Sequence, residues 1–69
     1  MTAKITINGV DEPLYVNTVA ALVAEKVEPM RHRGLAVALN GTVVPRSAWA
    51  STALHTGDQV EIVRVLQGG

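Results

Sequence analysis

Two Asn-Gly dipeptides, Asn8-Gly9 and Asn40-Gly41, constrain this chain more than any other feature. Both residue types tolerate the positive φ that a two-residue type I′ turn demands, so Asn-Gly between alternating apolar residues reads as a β-hairpin. Lys4-Ile5-Thr6-Ile7-Asn8 supplies that alternation before the first dipeptide. The return strand is expected from Val10 to Val16, with Val10, Leu14 and Val16 on one face. Pro13 has no N–H for a ladder, which assigns this strand to a sheet edge or gives it a bulge. Leu35-Ala36-Val37-Ala38-Leu39 leads into the second dipeptide, with leucine and valine on one face and alanines on the other. Thr42-Val43-Val44 follows and is cut off at Pro45.

Between the hairpins lies Asn17-Thr18-Val19-Ala20-Ala21-Leu22-Val23-Ala24-Glu25-Lys26-Val27. Val19, Leu22, Val23 and Val27 recur at helical spacing, and either Asn17 or Thr18 can cap the helix start with a side-chain oxygen. Pro29 disfavours helical backbone at Glu28 and ends the helix there. The apolar stripe is the face that covers the sheet. Met30-Arg31-His32-Arg33-Gly34 reads as a solvated polar connector, the alternative of an anion site having no partner residues nearby in sequence. Ser47 is expected to cap a short helical turn that carries Trp49, a packing residue whose indole N–H needs a backbone acceptor. Gly57-Asp58 turns into a last strand, with Val60 and Ile62 facing inward and Glu61 and Val63 outward.

Hairpin, helix, strand, short strand and final strand make an α+β arrangement, one helix on one face of a mixed sheet of four to five strands. A chain of 69 residues is one small domain with a thin stability margin. Residues 1–65 are read as that domain and residues 66–69 as a flexible tail. The sequence has no cysteine, which removes disulfides and thiolate metal sites and points to a reducing, cytoplasmic setting. With His32 and His55 unsupported by suitably spaced acids, no metal and no cofactor is expected. Six basic and six acidic residues balance, and Tyr15 and Trp49 are the only aromatics. Nucleic-acid binding wants a basic excess and stacking rings, so it is not expected. No apolar run reaches the ~18 residues of a membrane span. Nothing pairs a nucleophile with a base, so catalysis by this chain is not expected.

The segment Asn40-Gly41-Thr42-Val43-Val44-Pro45-Arg46-Ser47-Ala48-Trp49 resembles the Asn-x-x-(Ile/Val)-Val-Pro-Arg-x-x-Trp stretch of the ThiS family, sulfur carriers of thiamin biosynthesis. Gly57-Asp58-Gln59-Val60, an apolar strand and Gly68-Gly69 are similar to the end of the same family, and the likeness covers essentially the whole chain. The amino-terminal third departs most. The resemblance implies a β-grasp, ubiquitin-like fold with the first and last strands parallel at the sheet centre. It also implies that the Gly69 carboxylate is adenylated by a ThiF-type enzyme, which uses ATP, and becomes a thiocarboxylate for a ThiG-type thiazole synthase. Gly68 would give access to a narrow channel, since a residue without Cβ neither clashes nor restricts φ. Val65 to Gly69, fully extended, reach about 17 Å. Val63, Val65 and Leu66 are the candidate partner-binding residues, beside the flat Ala36 and Ala38 strip, although isolated exposed apolar residues are also ordinary surface. Arg46 either contributes charge to docking or caps the Val-Pro-Arg turn. A free monomer is expected by analogy with the fold. Three other readings stay open: a molybdopterin synthase small subunit with the same tail chemistry, a lysine-conjugated modifier, and a β-grasp interaction module that ignores its tail.

Overall fold

Both Asn-Gly pairs hold the backbone that a type I′ turn needs, with φ of 52° and 82° at Asn8 and Gly9 and of 50° and 85° at Asn40 and Gly41. The computed structural model describes residues 3–65. The expectations placed on Leu66, Gly68 and Gly69 lie outside the described residues. The first turn joins β1 (Lys4–Ile7) to β2 (Val10–Pro13), and the second joins β3 (Leu35–Leu39) to β4 (Thr42–Val44). The last strand, β5 (Gln59–Arg64), enters between the hairpins, giving the order β2-β1-β5-β3-β4. It runs parallel to β1 and antiparallel to β3. One helix, α1 (Val19–Lys26), covers one face. This is the α+β, β-grasp arrangement, with five strands.

Thr18 is the helix cap: its backbone is extended and its hydroxyl oxygen accepts from the Ala21 N–H at 3.2 Å. At the other end the Val27 N–H reaches the Val23 carbonyl, and Glu28 before Pro29 is no longer helical. Val19, Leu22 and Val23 are buried against Ile5, Ile7, Val37, Val44 and Val60 of the sheet. Replacing Thr18 by Ala leaves that donor unsatisfied and is expected to remove about 1 kcal/mol. In a domain this small that lowers the melting temperature by about 4–8 °C, readable by thermal circular dichroism.

Two local expectations need correction, and the core has one member that no sequence pattern marks. The return strand stops at Pro13 instead of Val16. Leu14 still donates to the Ala3 carbonyl at 2.8 Å, and with Val16 it packs on the core, but Val10 is exposed. Val10 lies opposite Ile7 at the hairpin tip, where its side chain borders an open groove. Ser47 caps nothing: the 3-10 helix Arg46–Ser51 begins after Pro45 and has no side-chain cap, because the extended proline itself sets the turn. Leu54, in a stretch of small polar residues, belongs to the core. Its N–H donates to the Asn17 carbonyl, and the Val19 N–H donates to Thr52, so this segment is laced to the start of the helix.

Candidate functional site

The exit of β5 is the point from which any tail chemistry must be presented, and it is built from three directions. On one side β1 pairs with β5 only at Thr6↔Gln59 and Ile7↔Val60 before the chain turns away. The Asn8 side chain then stands in for the next strand residue. Its amide oxygen accepts from the Ile62 N–H at 2.8 Å, and its amide nitrogen donates to the Ile62 carbonyl at 3.1 Å. Asn40 does the same at the other end of β5, accepting from Gln59 N–H at 2.9 Å and donating to the Asp58 carboxylate. Each asparagine therefore makes a hairpin turn and fixes the central strand.

On the other side β3 pairs with β5 as far as Leu35↔Arg64, and the Val65 N–H continues the ladder to the Gly34 carbonyl at 2.7 Å. Gly34 has φ of +77°, and a Cβ there would meet the Val65 carbonyl oxygen at 3.4 Å. Both facts favour glycine at that crossing.

The third direction is the connector, with its 3-10 turn Pro29–Arg31. Its residues are exposed or half-buried, as a solvated loop should be, but its backbone is tied down. The Arg64 guanidinium donates to the carbonyls of Arg31 and Arg33, both at 3.0 Å. Arg46 donates to the His32 carbonyl while its guanidinium sits 5.0 Å above the Trp49 ring. His32 places a ring nitrogen 2.7 Å from the Val27 carbonyl and meets Trp49 edge-on. Arg46 thus clamps the connector onto Trp49. Sequence spacing does not expose the tie to the connector, since Arg46 and His32 lie 14 residues apart.

Of the residues singled out for partner binding, Val63 and Val65 are each 51% exposed at the end of β5. Val63 lies beside Ala36 and on the face opposite Ile62. On the helix side an open groove of about 450 Å³ runs beneath the hairpin tip, with Ile7, Val10, Val27, Leu35 and Ile62 in its wall. Lys26 and Glu12 form an ion pair at its rim. The hydrogen bond to Glu12 raises the Lys26 pKa above its ordinary value, against an opposing effect of burial and with the nearby charges of Glu12 and Glu25 adding to the rise. Among the described residues no group of three or more His, Cys, Asp or Glu could hold a metal ion. No helix among them is long and apolar enough to cross a membrane.

The ThiS family model matches residues 4–69, from the first residue of β1 through Gly68-Gly69. The chain belongs to the ThiS family. It is 41% identical over 39 residues to the sulfur carrier protein ThiS of Escherichia coli K12. That alignment spans 56% of this chain and 59% of the relative's length. The crystal structure of the thiamine biosynthesis protein ThiS from Geobacter metallireducens superposes with a TM-score of 0.75 at 33% identity. It covers 96% of this chain and 99% of the Geobacter chain. A solution structure of a thiamine biosynthesis protein from the same organism gives 0.65 at 31% identity, over 96% and 87% of the two chains. The ThiS fold thus extends to the parallel β1–β5 pair and the strand exit that the tail-bearing residues follow.

Proposed function

We propose that this chain is a sulfur carrier for thiazole formation in thiamin biosynthesis. The carboxylate of Gly69 attacks the α-phosphorus of ATP on a ThiF-type enzyme, releasing pyrophosphate and leaving an acyl adenylate. A sulfur nucleophile then displaces AMP, and the resulting thiocarboxylate delivers its sulfur to a ThiG-type thiazole synthase. A free carboxylate is already anionic and offers no good leaving group; AMP supplies one and divides a hard substitution into two easier ones. The observation that carries this reading is the family match running unbroken through Gly68-Gly69.

The fold suits the task. β5 is held on one side by β3 and on the other by β1 and the Asn8 amide, and its end is tied to the connector by Arg64 and Val65. A tail leaving such a root starts from a fixed point and direction, which lowers the entropy lost when a partner aligns the reacting carboxylate. The chain acts as a co-substrate, with adenylation and transfer performed by its partners. Incubation with a ThiF-type enzyme, ATP and a sulfide donor is expected to exchange one oxygen of the chain for sulfur. Intact mass spectrometry reads the exchange directly, and an unchanged mass under conditions that convert a known ThiS protein overturns the proposal.

A further inference from the structure

The chain is neutral overall, yet its charge is unevenly placed. Four of its six basic residues, Arg31, Arg33, Arg46 and Arg64, gather at the exit of β5, and all four are exposed. Intramolecular pairing barely neutralises them. Arg46 and Arg64 spend their hydrogen bonds on backbone carbonyls, which fix a guanidinium without cancelling its charge. Among the described residues only Arg31 has a carboxylate within 4.0 Å, that of Glu28, and both of those side chains are largely solvated. Such an exposed pair contributes little. The other acids sit on the first hairpin, the helix, the Asp58 turn and the middle of β5.

Two apolar side chains stand among these arginines: Met30 is 94% exposed on the connector, and Val65 lies half-exposed at the root of the tail. Arginine and methionine around an apolar centre are what protein interfaces favour over other surface. The connector backbone that carries Arg31 and Arg33 is tied down by the Arg64 and Arg46 bonds and the Val65–Gly34 bond, so less of the loop has to be ordered on association.

We propose that this arginine collar is a docking surface for a carboxylate-lined protein surface around the mouth of the channel that receives the tail, in the first instance on the adenylating partner. The inference rests on the carrier reading for the partner's identity, and on charge placement for the surface. Pairing of opposite patches steers encounter, and its effect falls chiefly on the association rate and fades with salt.

The test is stopped-flow association of the labelled full chain with a ThiF-type enzyme at low and high ionic strength, using R31E/R33E and, as a control outside the collar, K4E. Both reversed arginines leave the carbonyls that hold Arg64 in place. The double variant is expected to associate at least about tenfold more slowly at low salt, with the difference vanishing at high salt and the dissociation rate little changed. K4E is expected to stay near the wild-type rate. Equal rates for the double variant and wild type overturn the proposal, as does a K4E loss of half or more of the double variant's on a logarithmic scale, which is what net charge alone would give for one reversal against two. A raised KM for ATP with association unchanged also overturns it and assigns the arginines to nucleotide phosphate. Association is read apart from chemistry, so normal binding without adenylation would overturn sulfur carriage and leave the collar standing.

Discussion

Removing Gly69 is expected to abolish adenylation and leave the fold untouched. The shortened chain still ends in a carboxylate on Gly68, so the loss would not come from missing chemistry. It would come from position: one residue of extended chain is about 3.4 Å, and the reacting oxygen would stop short of the nucleotide phosphorus by that distance. Displacements of about 1 Å from a reactive geometry already cost roughly a hundredfold, so the rate is expected to fall by at least that factor. Appending one residue should do the same from the other direction, by moving the carboxylate past the reacting centre and adding a Cβ where glycine stood. Neither change touches a buried side chain or a strand pairing among the described residues, so the melting temperature should move by no more than about 2–4 °C. Adenylation is measured by pyrophosphate release and the fold by thermal circular dichroism. Activity retained in both variants would make the tail a bystander and favour an interaction module that uses the sheet or its edges.

How far the fold can be read from the residues depends on the range over which each signal acts. Asn8-Gly9 and Asn40-Gly41 announce their hairpins because positive φ at both positions is a property of the dipeptide itself. Asn17-Thr18 before a valine-leucine stripe announces the helix for the same local reason, with the choice of Thr18 as the cap settled by its bond from Ala21. Pro45 likewise marks where its ladder stops, whereas Pro13, expected only to sit at an edge or a bulge, ends a strand whose alternation ran on to Val16. The failures are non-local. Leu54 carries no periodicity, being one apolar residue in a polar run, yet it is buried because its segment crosses the start of the helix. Val10 fits the alternation of its strand and is exposed, because burial depends on what lies across from the tip of a hairpin.

The same division holds at the site. Gly68-Gly69 and the Val44-Pro45-Arg46…Trp49 segment point to the family from sequence. The two strand-bracing asparagine side chains and the ties from Arg64 and Arg46 to the connector do not, since each joins a side chain to a backbone group 14 or more residues away. Hydrogen bonds from side chain to backbone leave no pattern of paired residue types, because any residue can supply the carbonyl.

Trp49→Ala is expected to be the most damaging single substitution in the folded part of the chain. The ring is 6% exposed in the core, and its indole N–H donates to the Val44 carbonyl at 2.9 Å. Truncating a buried tryptophan costs about 3–5 kcal/mol. Domains have about 0.05–0.15 kcal/mol of stability per residue, so the loss takes at least about three-tenths of what a chain of this size holds. At about 4–8 °C per kcal/mol the melting temperature should fall by at least about 12 °C, and a wild type of low stability would leave the variant unfolded at room temperature. Circular dichroism must report it, since Trp49 is the only tryptophan and the change removes the fluorescent probe. Trp49→Phe separates two contributions. It keeps most of the ring but leaves the Val44 carbonyl without its donor, which costs about 1–3 kcal/mol. A phenylalanine variant as unstable as the alanine one would place the whole effect in that hydrogen bond; an intermediate value assigns the remainder to packing. The ring is also the platform beneath Arg46 and beside His32, and through them it holds the connector to which Arg64 and Val65 are bonded. In Trp49→Phe, which keeps a π face for Arg46, the Val65 amide should retain much of its protection from hydrogen exchange. In whatever folded fraction of Trp49→Ala remains, that amide should exchange faster relative to the core of β5. Unchanged relative protection would mean that the strand pairing with Gly34 holds the tail root without help from the tryptophan.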